Sequence, residues 1–417
     1  MDFNLINCGE GSEKGAKTLL SSIYFAGALT ALLTGTFIFD NIGRKRSALI
    51  GCMIELPITL CGTFCHDYYF LLAIRFIQGF GEFMVSTPMF ILVQEILPAR
   101  LRNYSNSLFQ MCWALGYAVA TAVGYFVHDW NYMFLTATCI MLVLDIPVFL
   151  CKETPRFYLM KNNTDAAKDS LKFLASLNNE KLDLDNIVIA DIDKTKERKQ
   201  SYFQQIKDMF NYPMLFIETI LQMFLWFTVA MSYYGFNFGW GSIFPDLYIG
   251  YLMGMVGEII AYIALTPLIA SLGRRRSIML MFLGAGIAYL VAIPDVNLDE
   301  SGSWTLESLA CLVGVIFVSS AFSGVYLWSG ELSPTSHRGL VYGVSSSAGR
   351  VGSFLGPFII LNLRHLIGKT APLVGLSALM FMCLVSSFLL VETGDKDIAL
   401  TGEDIVKRRR EEYQYRI

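Results

Sequence analysis

Three stretches of this chain, residues 18–39, 104–127 and 371–391, contain no charged side chain. Each exceeds the roughly 20 residues that a helix needs to cross the hydrocarbon of a bilayer. Lipid offers the backbone no hydrogen-bonding partner, so such a segment must satisfy its own N–H and C=O groups as a helix. The rest of the chain follows suit. Only 16% of its 417 residues are charged, against about 25% in soluble domains. Eleven apolar segments fall near 18–39, 47–65, 70–93, 105–127, 131–151, 213–235, 246–270, 277–294, 306–330, 339–363 and 371–391. The expectation is an all-α, multi-pass membrane protein with eleven crossings.

Orientation follows from Lys and Arg. Of the 32, 26 lie in alternate loops, in residues 152–212 and after Val391, and four lie in the opposite loops. The richer side is cytosolic by the positive-inside rule. The expected organisation is an extracellular stretch 1–17, a first bundle 18–151, a cytosolic linker 152–212, a second bundle 213–391 and a cytosolic tail 392–417. Within the linker, residues 165–177 and 201–210 have helical patterning. The basic run Lys407 to Arg410 reads as a membrane-proximal face, not a nucleic-acid site.

The two bundles repeat each other. Gly43-Arg44-Lys45-Arg46 returns as Gly273-Arg274-Arg275-Arg276, an offset of 230 residues. Glu95, Pro98 and Arg102 return as Glu331, Pro334 and Arg338, an offset of 236. Glu153-Thr154-Pro155-Arg156 is echoed by Glu392-Thr393-Gly394, an offset of 239. Constant order at nearly constant offset marks a parallel internal repeat.

These motifs, with Arg75 to Gly81, resemble the major facilitator superfamily. Trp226 to Gly235, Asp246-Leu247-Tyr248, Glu258 to Tyr262 and Glu331 to Pro357 resemble its organic cation, anion and carnitine transporters. The paired glutamines of sugar porters are absent; Gln222-Met223-Phe224 stands there instead. The resemblance implies two pseudo-symmetric helix bundles, transport by alternating access without ATP, and a plasma-membrane location. It also implies twelve helices, with a large extracellular loop after the first. The stretch Asp2 to Cys8 resembles the end of that loop, so the chain is expected to lack the first helix. Either it is a fragment or an incomplete gene model of a longer carrier, or it is a variant with altered function, such as a membrane protein that does not transport.

The resemblance further assigns the cytosolic charges Asp40, Arg44, Glu95, Arg102, Glu331, Arg338, Glu153 and Arg156 to ion pairs that close an inner gate. The plainer alternative is that they fix orientation and cap helix ends. Arg350 stands near the middle of its segment, where an arginine costs roughly 2.5–3.5 kcal/mol and needs a cavity or a partner. A guanidinium can grip a carboxylate with two parallel hydrogen bonds, which favours anionic or zwitterionic solutes. The alternative is an ion pair with Glu258. Three stripes at helical spacing could wall a cavity: Gln110, Trp113 and Tyr117; Gln222, Trp226 and Tyr233; Phe322, Tyr326 and Ser329. Their alternative role is helix packing. No nucleotide loop, nucleophile elbow or metal-ligand spacing is present, and the four histidines are scattered. The chain therefore reads as a carrier of small organic ions with no cofactor, and not as an enzyme. A neutral, sugar-like solute is the remaining alternative.

Overall fold

The computed structural model describes residues 10–161, 163–178, 207, 209–238, 243–244, 246–294, 296, 305–334 and 337–394. The fold is all-α. The first half comprises α1 (Glu10–Ile42), α2 (Arg44–Gly62), α3 (Tyr68–Ile96), α4 (Ala99–Phe126), α5 (Trp130–Leu144) and α6 (Ile146–Leu150). Two short helices follow, α7 (Pro155–Met160) and α8 (Thr164–Leu177). The second half comprises α9 (Pro213–Asn237), α10 (Leu247–Leu272), α11 (Arg274–Val291), α12 (Leu306–Leu332), α13 (Arg338–Leu366) and α14 (Thr370–Leu389). The second linker helix expected from the sequence falls largely outside the described residues.

Among the described residues, nine helices are long and apolar enough to cross a membrane. The other two expected crossings are α2 and α11. Each begins with three basic residues, which dilute its apolar stretch. Two further departures have local causes. The segment expected over 131–151 is broken, because α5 ends at Asp145 and Pro147 stands in the first turn of α6. Residues 10–17, expected to be an extracellular extension of no assigned structure, continue α1 instead. Glu10 to Lys14 and Glu13 to Lys17 have the i,i+4 spacing that stabilises a solvated helix.

Short polar signals set the helix starts. Asp67 accepts from the Phe70 N–H, Asp129 from Asn131, and Asp246 from Tyr248 and Ile249. Thr305 and Ser308 form a reciprocal capping box. Gly43 and Gly273, at equivalent places in the repeat, have φ of 102° and 83°. A side chain at either would be strained and would strike the carboxylate of Glu153 or Glu392.

Within the first half, α3 packs against α1 and α2. Within the second, α9 packs along α13, and α11 lies between α12 and α14. The halves meet through two antiparallel pairs, α1 with α13 and α4 with α10. The largest buried cluster is centred on α9, α12 and α11 and includes Trp226, Tyr233, Phe282, Tyr289 and Trp328. Much of the outer surface is apolar, with Leu33, Leu108, Val143, Ile263 and Val385 exposed, as a lipid-facing surface requires.

Candidate functional site

The repeated motifs converge at one end of each half, where α2 and α11 begin. In the first, Arg44 Nη2 donates to Glu95 Oε1 at 2.9 Å, and Thr154 Oγ1 donates to Glu95 Oε2 at 2.7 Å. Glu153 accepts from the Lys45 N–H at 2.9 Å. In the second, Arg274 grips Glu331 with two bonds of 3.1 Å, and Thr393 Oγ1 donates to the same carboxylate. Glu392 accepts from the N–H groups of Arg274, Arg275 and Gly394, each at 3.0 Å. The two clusters are copies: basic turn, helix-end glutamate and Glu-Thr pair. Each ion pair joins elements of one half, so in this conformation they brace the halves individually. Arg156 is exposed. The side chains of Asp40, Arg102 and Arg338 lie outside the described residues. Sequence reasoning missed Arg274, Thr154, Thr393 and Glu392 as partners, although the repeat itself pointed to them.

At mid-depth, several of the predicted residues gather between the halves. Arg350 on α13 is 5% exposed. Its Nη2 donates to the Tyr326 hydroxyl at 3.0 Å, and its Cζ lies 4.4 Å from the centre of the Phe83 ring on α3. Its Nε is buried and has no hydrogen-bond partner. The arginine thus spans the two halves, resting on an aromatic face of one and a phenol of the other. Glu258 on α10 is not its partner. That buried carboxylate accepts from Tyr233 at 3.2 Å and Tyr262 at 3.4 Å. The ion pair considered between Arg350 and Glu258 is replaced by two separate poles.

An aromatic wall lies beside these poles. Trp226 is fully buried, donates Nε1–H to Ser329 at 2.9 Å, and lies 4.4 Å from the Tyr326 ring. Phe322 packs on Tyr326 at 5.4 Å and on Tyr233 at 5.8 Å. The α4 stripe joins from the other half: Trp113 packs on Tyr117, which stacks on Tyr251 of α10. Gln110 and Gln222 are buried, and Gln222 Oε1 has no hydrogen-bond partner. Sequence reasoning missed Phe83, Tyr251 and Tyr262, which no periodic stripe singled out. Ser329, read as the end of a stripe, instead serves Trp226.

The halves also touch at both ends of α4. Near its start, Asn106 Nδ2 donates to Ser323 Oγ at 3.3 Å, and Ser107 lies 2.9 Å from Thr266. Near the opposite end, the Tyr248 hydroxyl donates to the Gly124 carbonyl at 3.0 Å. Among the described residues, no group of three His, Cys, Asp or Glu could hold a metal ion.

Two repeated halves of apolar helices, joined by antiparallel pairs around buried polar side chains, define a multi-pass membrane protein of two pseudo-symmetric bundles. The chain belongs to the Major Facilitator Superfamily, whose family pattern matches residues 11–357. It is 27% identical to "Solute carrier family 22 member 15" of Xenopus tropicalis, over 83% of this chain and 64% of that protein. It is 26% identical to the "Organic cation transporter protein" of Drosophila melanogaster, over 93% and 72%. It is also 26% identical to the "Beta-alanine transporter" of the same organism, over 93% and 63%. The chain thus spans about two thirds of the length of these relatives. The fold is similar to the proton:xylose symporter XylE bound to 6-bromo-6-deoxy-D-glucose, with a TM-score of 0.72 and 15% identity over 96% of this chain and 91% of that one.

Proposed function

We propose that this chain carries small organic ions across the plasma membrane by alternating access, as a facilitator or exchanger, with carboxylate-bearing and zwitterionic solutes preferred. The observation that carries this reading is Arg350. A buried guanidinium that rests on Phe83 and Tyr326, with Nε unpaired, has donor capacity left for a carboxylate. Trp226, Tyr233, Phe322 and Tyr326 form the wall against which the solute lies, with Gln110, Trp113, Tyr117 and Gln222 completing it. Glu258 supplies the opposite pole for the ammonium of a zwitterion. Domains 18–151 and 213–391 move as the two bundles, tethered by the linker 152–212 and flanked by the ends 1–17 and 392–417. The cytosolic charges Asp40, Arg44, Glu95, Arg102, Glu153, Arg156, Glu331 and Arg338 serve the inner gate by keeping each bundle rigid as it rocks.

A second reading has its own support. Glu258 among tyrosine hydroxyls, and a relative named as an organic cation transporter, suit a cationic solute. Uptake into cells, with surface labelling to establish delivery to the plasma membrane, separates the two. A labelled monocarboxylate, a zwitterion and an organic cation are compared in the wild type, Arg350→Asp and Glu258→Gln. Saturable uptake of the carboxylate or zwitterion that Arg350→Asp abolishes is the expected result. Uptake of the cation alone, lost in Glu258→Gln and kept in Arg350→Asp, would overturn the preference. Surface delivery with no uptake of any of the three would overturn the carrier reading.

A further inference from the structure

Arg350 is held by groups that are each fixed in their own half. On the second half, its Nη2 donates to the Tyr326 hydroxyl at 3.0 Å, and the Tyr326 ring lies 4.4 Å from Trp226 and 5.4 Å from Phe322. Gly349, next to Arg350 in the chain, lies against Trp226, and Gly352 and Gly356 bring α13 onto the backbone of α9. On the first half, the guanidinium carbon lies 4.4 Å from the centre of the Phe83 ring. Phe83 is 5% exposed and belongs to a buried cluster with Met84 and with Ala28 and Ala31 of α1. Gly27 and Gly79 bring α1 and α3 together, since a Cβ on either would strike the backbone of the other helix. The ring therefore moves with the first half and the guanidinium with the second.

Among the described residues, no carboxylate lies within ion-pair distance of Arg350. The ring of Phe83 is what the first half offers the charge. A guanidinium that stacks on a ring keeps its edge open, and the edge is where parallel N–H groups meet a carboxylate. Nε, on that edge, is buried without a hydrogen-bond partner.

We propose that Phe83 is a positioning residue for the solute carboxylate: its ring, carried by the first half, holds the Arg350 guanidinium with the Nε edge toward the solute, so that the fork is in place only while α3 and α13 are together. The role rests on the carrier reading above and deepens it. Solute affinity is thereby tied to conformation. It is highest when the halves meet at this level and falls when α3 draws away, which lets the solute leave. By the same linkage, a bound carboxylate favours the joined arrangement.

Graded fluorination of this one ring tests the proposal, because fluorine drains the negative face of the ring with little change in volume. Phe83 of the full chain is replaced by mono-, di- and trifluorophenylalanine, and two readouts are taken. The first needs no solute: thermal melting of the purified protein, in the wild-type background and in Arg350→Gln. The melting temperature is expected to fall stepwise with fluorine count in the wild-type background and to stay flat in Arg350→Gln. A flat wild-type series, or an equal fall in both backgrounds, overturns the contact. The second is uptake of a labelled monocarboxylate, with surface delivery measured alongside. KM is expected to rise stepwise, by about tenfold for the trifluorinated ring, with the maximal rate per surface molecule kept. A packing role would lower the maximal rate or the delivery and leave KM flat, and a ring that competes with the solute would lower KM; either result overturns the proposal. Saturable uptake that Arg350→Asp abolishes, with KM flat along the series, overturns the role of Phe83 and leaves the carrier reading standing. Absence of uptake in the wild type at normal surface delivery overturns the carrier reading and this role with it.

Discussion

At the scale of single residues, the arginine at mid-membrane depth was legible in the sequence, because its cost demands a function or a partner. Its surroundings were not. The ring beneath it, Phe83, comes from a helix of the other half, 267 positions away in the chain. Lysine keeps the charge but not the planar fork. Arg350→Lys is therefore expected to raise the KM for a carboxylate solute by about tenfold or more, the worth of a charge-assisted bond, with normal surface delivery. A kinetic comparison of uptake checks this. A second prediction concerns glycine. Gly352 lies against the backbone of α9, where a Cβ would strike the Phe227 carbonyl. Gly116 is its equivalent in α4 at the 236-residue offset of the repeat, and no heavy atom lies within 4 Å of the Cβ it would gain. Gly352→Ala is expected to lower stability by about 1–3 kcal/mol, whereas Gly116→Ala changes little. Thermal melting of the two purified variants in the same detergent makes the comparison.

At the scale of elements, the repeat explains why both basic turns end in the same geometry. A positive-φ glycine lets the next helix start while its first N–H groups bond to a glutamate from the end of the half. The glutamates at the ends of α3 and α12 then neutralise the leading arginines. Arg274 and Glu331 are about four-fifths buried, so losing one partner leaves the other charge stranded. Glu331→Gln and Glu95→Gln are each expected to cost about 1–3 kcal/mol, less than for a fully buried pair, read as a fall in melting temperature. The linker helix α8 is tied down more weakly. Lys152 donates to Asp169 at 2.8 Å, and this ammonium holds the exposed Asp169 carboxyl below the usual carboxylate range. A lowered acid contributes while ionised and loses its contribution as pH falls through its folded-state value. The protection of the α8 amides, relative to their intrinsic exchange rate at each pH, is therefore expected to be flat near neutral pH and to fall only once the pH drops below about 4. Asp169→Asn should remove that fall.

For the whole molecule, the halves are held near the start of α4 by neutral hydrogen bonds, Asn106 to Ser323 and Ser107 to Thr266, while the ion pairs Arg44–Glu95 and Arg274–Glu331 stay within each half. If these contacts open in each cycle, a disulfide between Ser107→Cys and Thr266→Cys should block uptake under oxidant and release it under reductant. The background would have the exposed Cys61, Cys112 and Cys139 replaced by serine. Undiminished uptake with the disulfide formed would show that α4 and α10 do not part there. The sequence by itself determined the all-α class, the order of the long apolar helices, the doubled architecture and the family. These follow from local quantities: apolar run length and motif spacing. Only the tertiary structure decided partners. It placed Glu258 with tyrosines instead of Arg350, and kept the ion pairs Arg44–Glu95 and Arg274–Glu331 inside each half. Such pairings depend on how helices far apart in the chain cross and rotate against one another. In lipid that is set by close packing and hydrogen bonding, which no single helix carries in its own sequence.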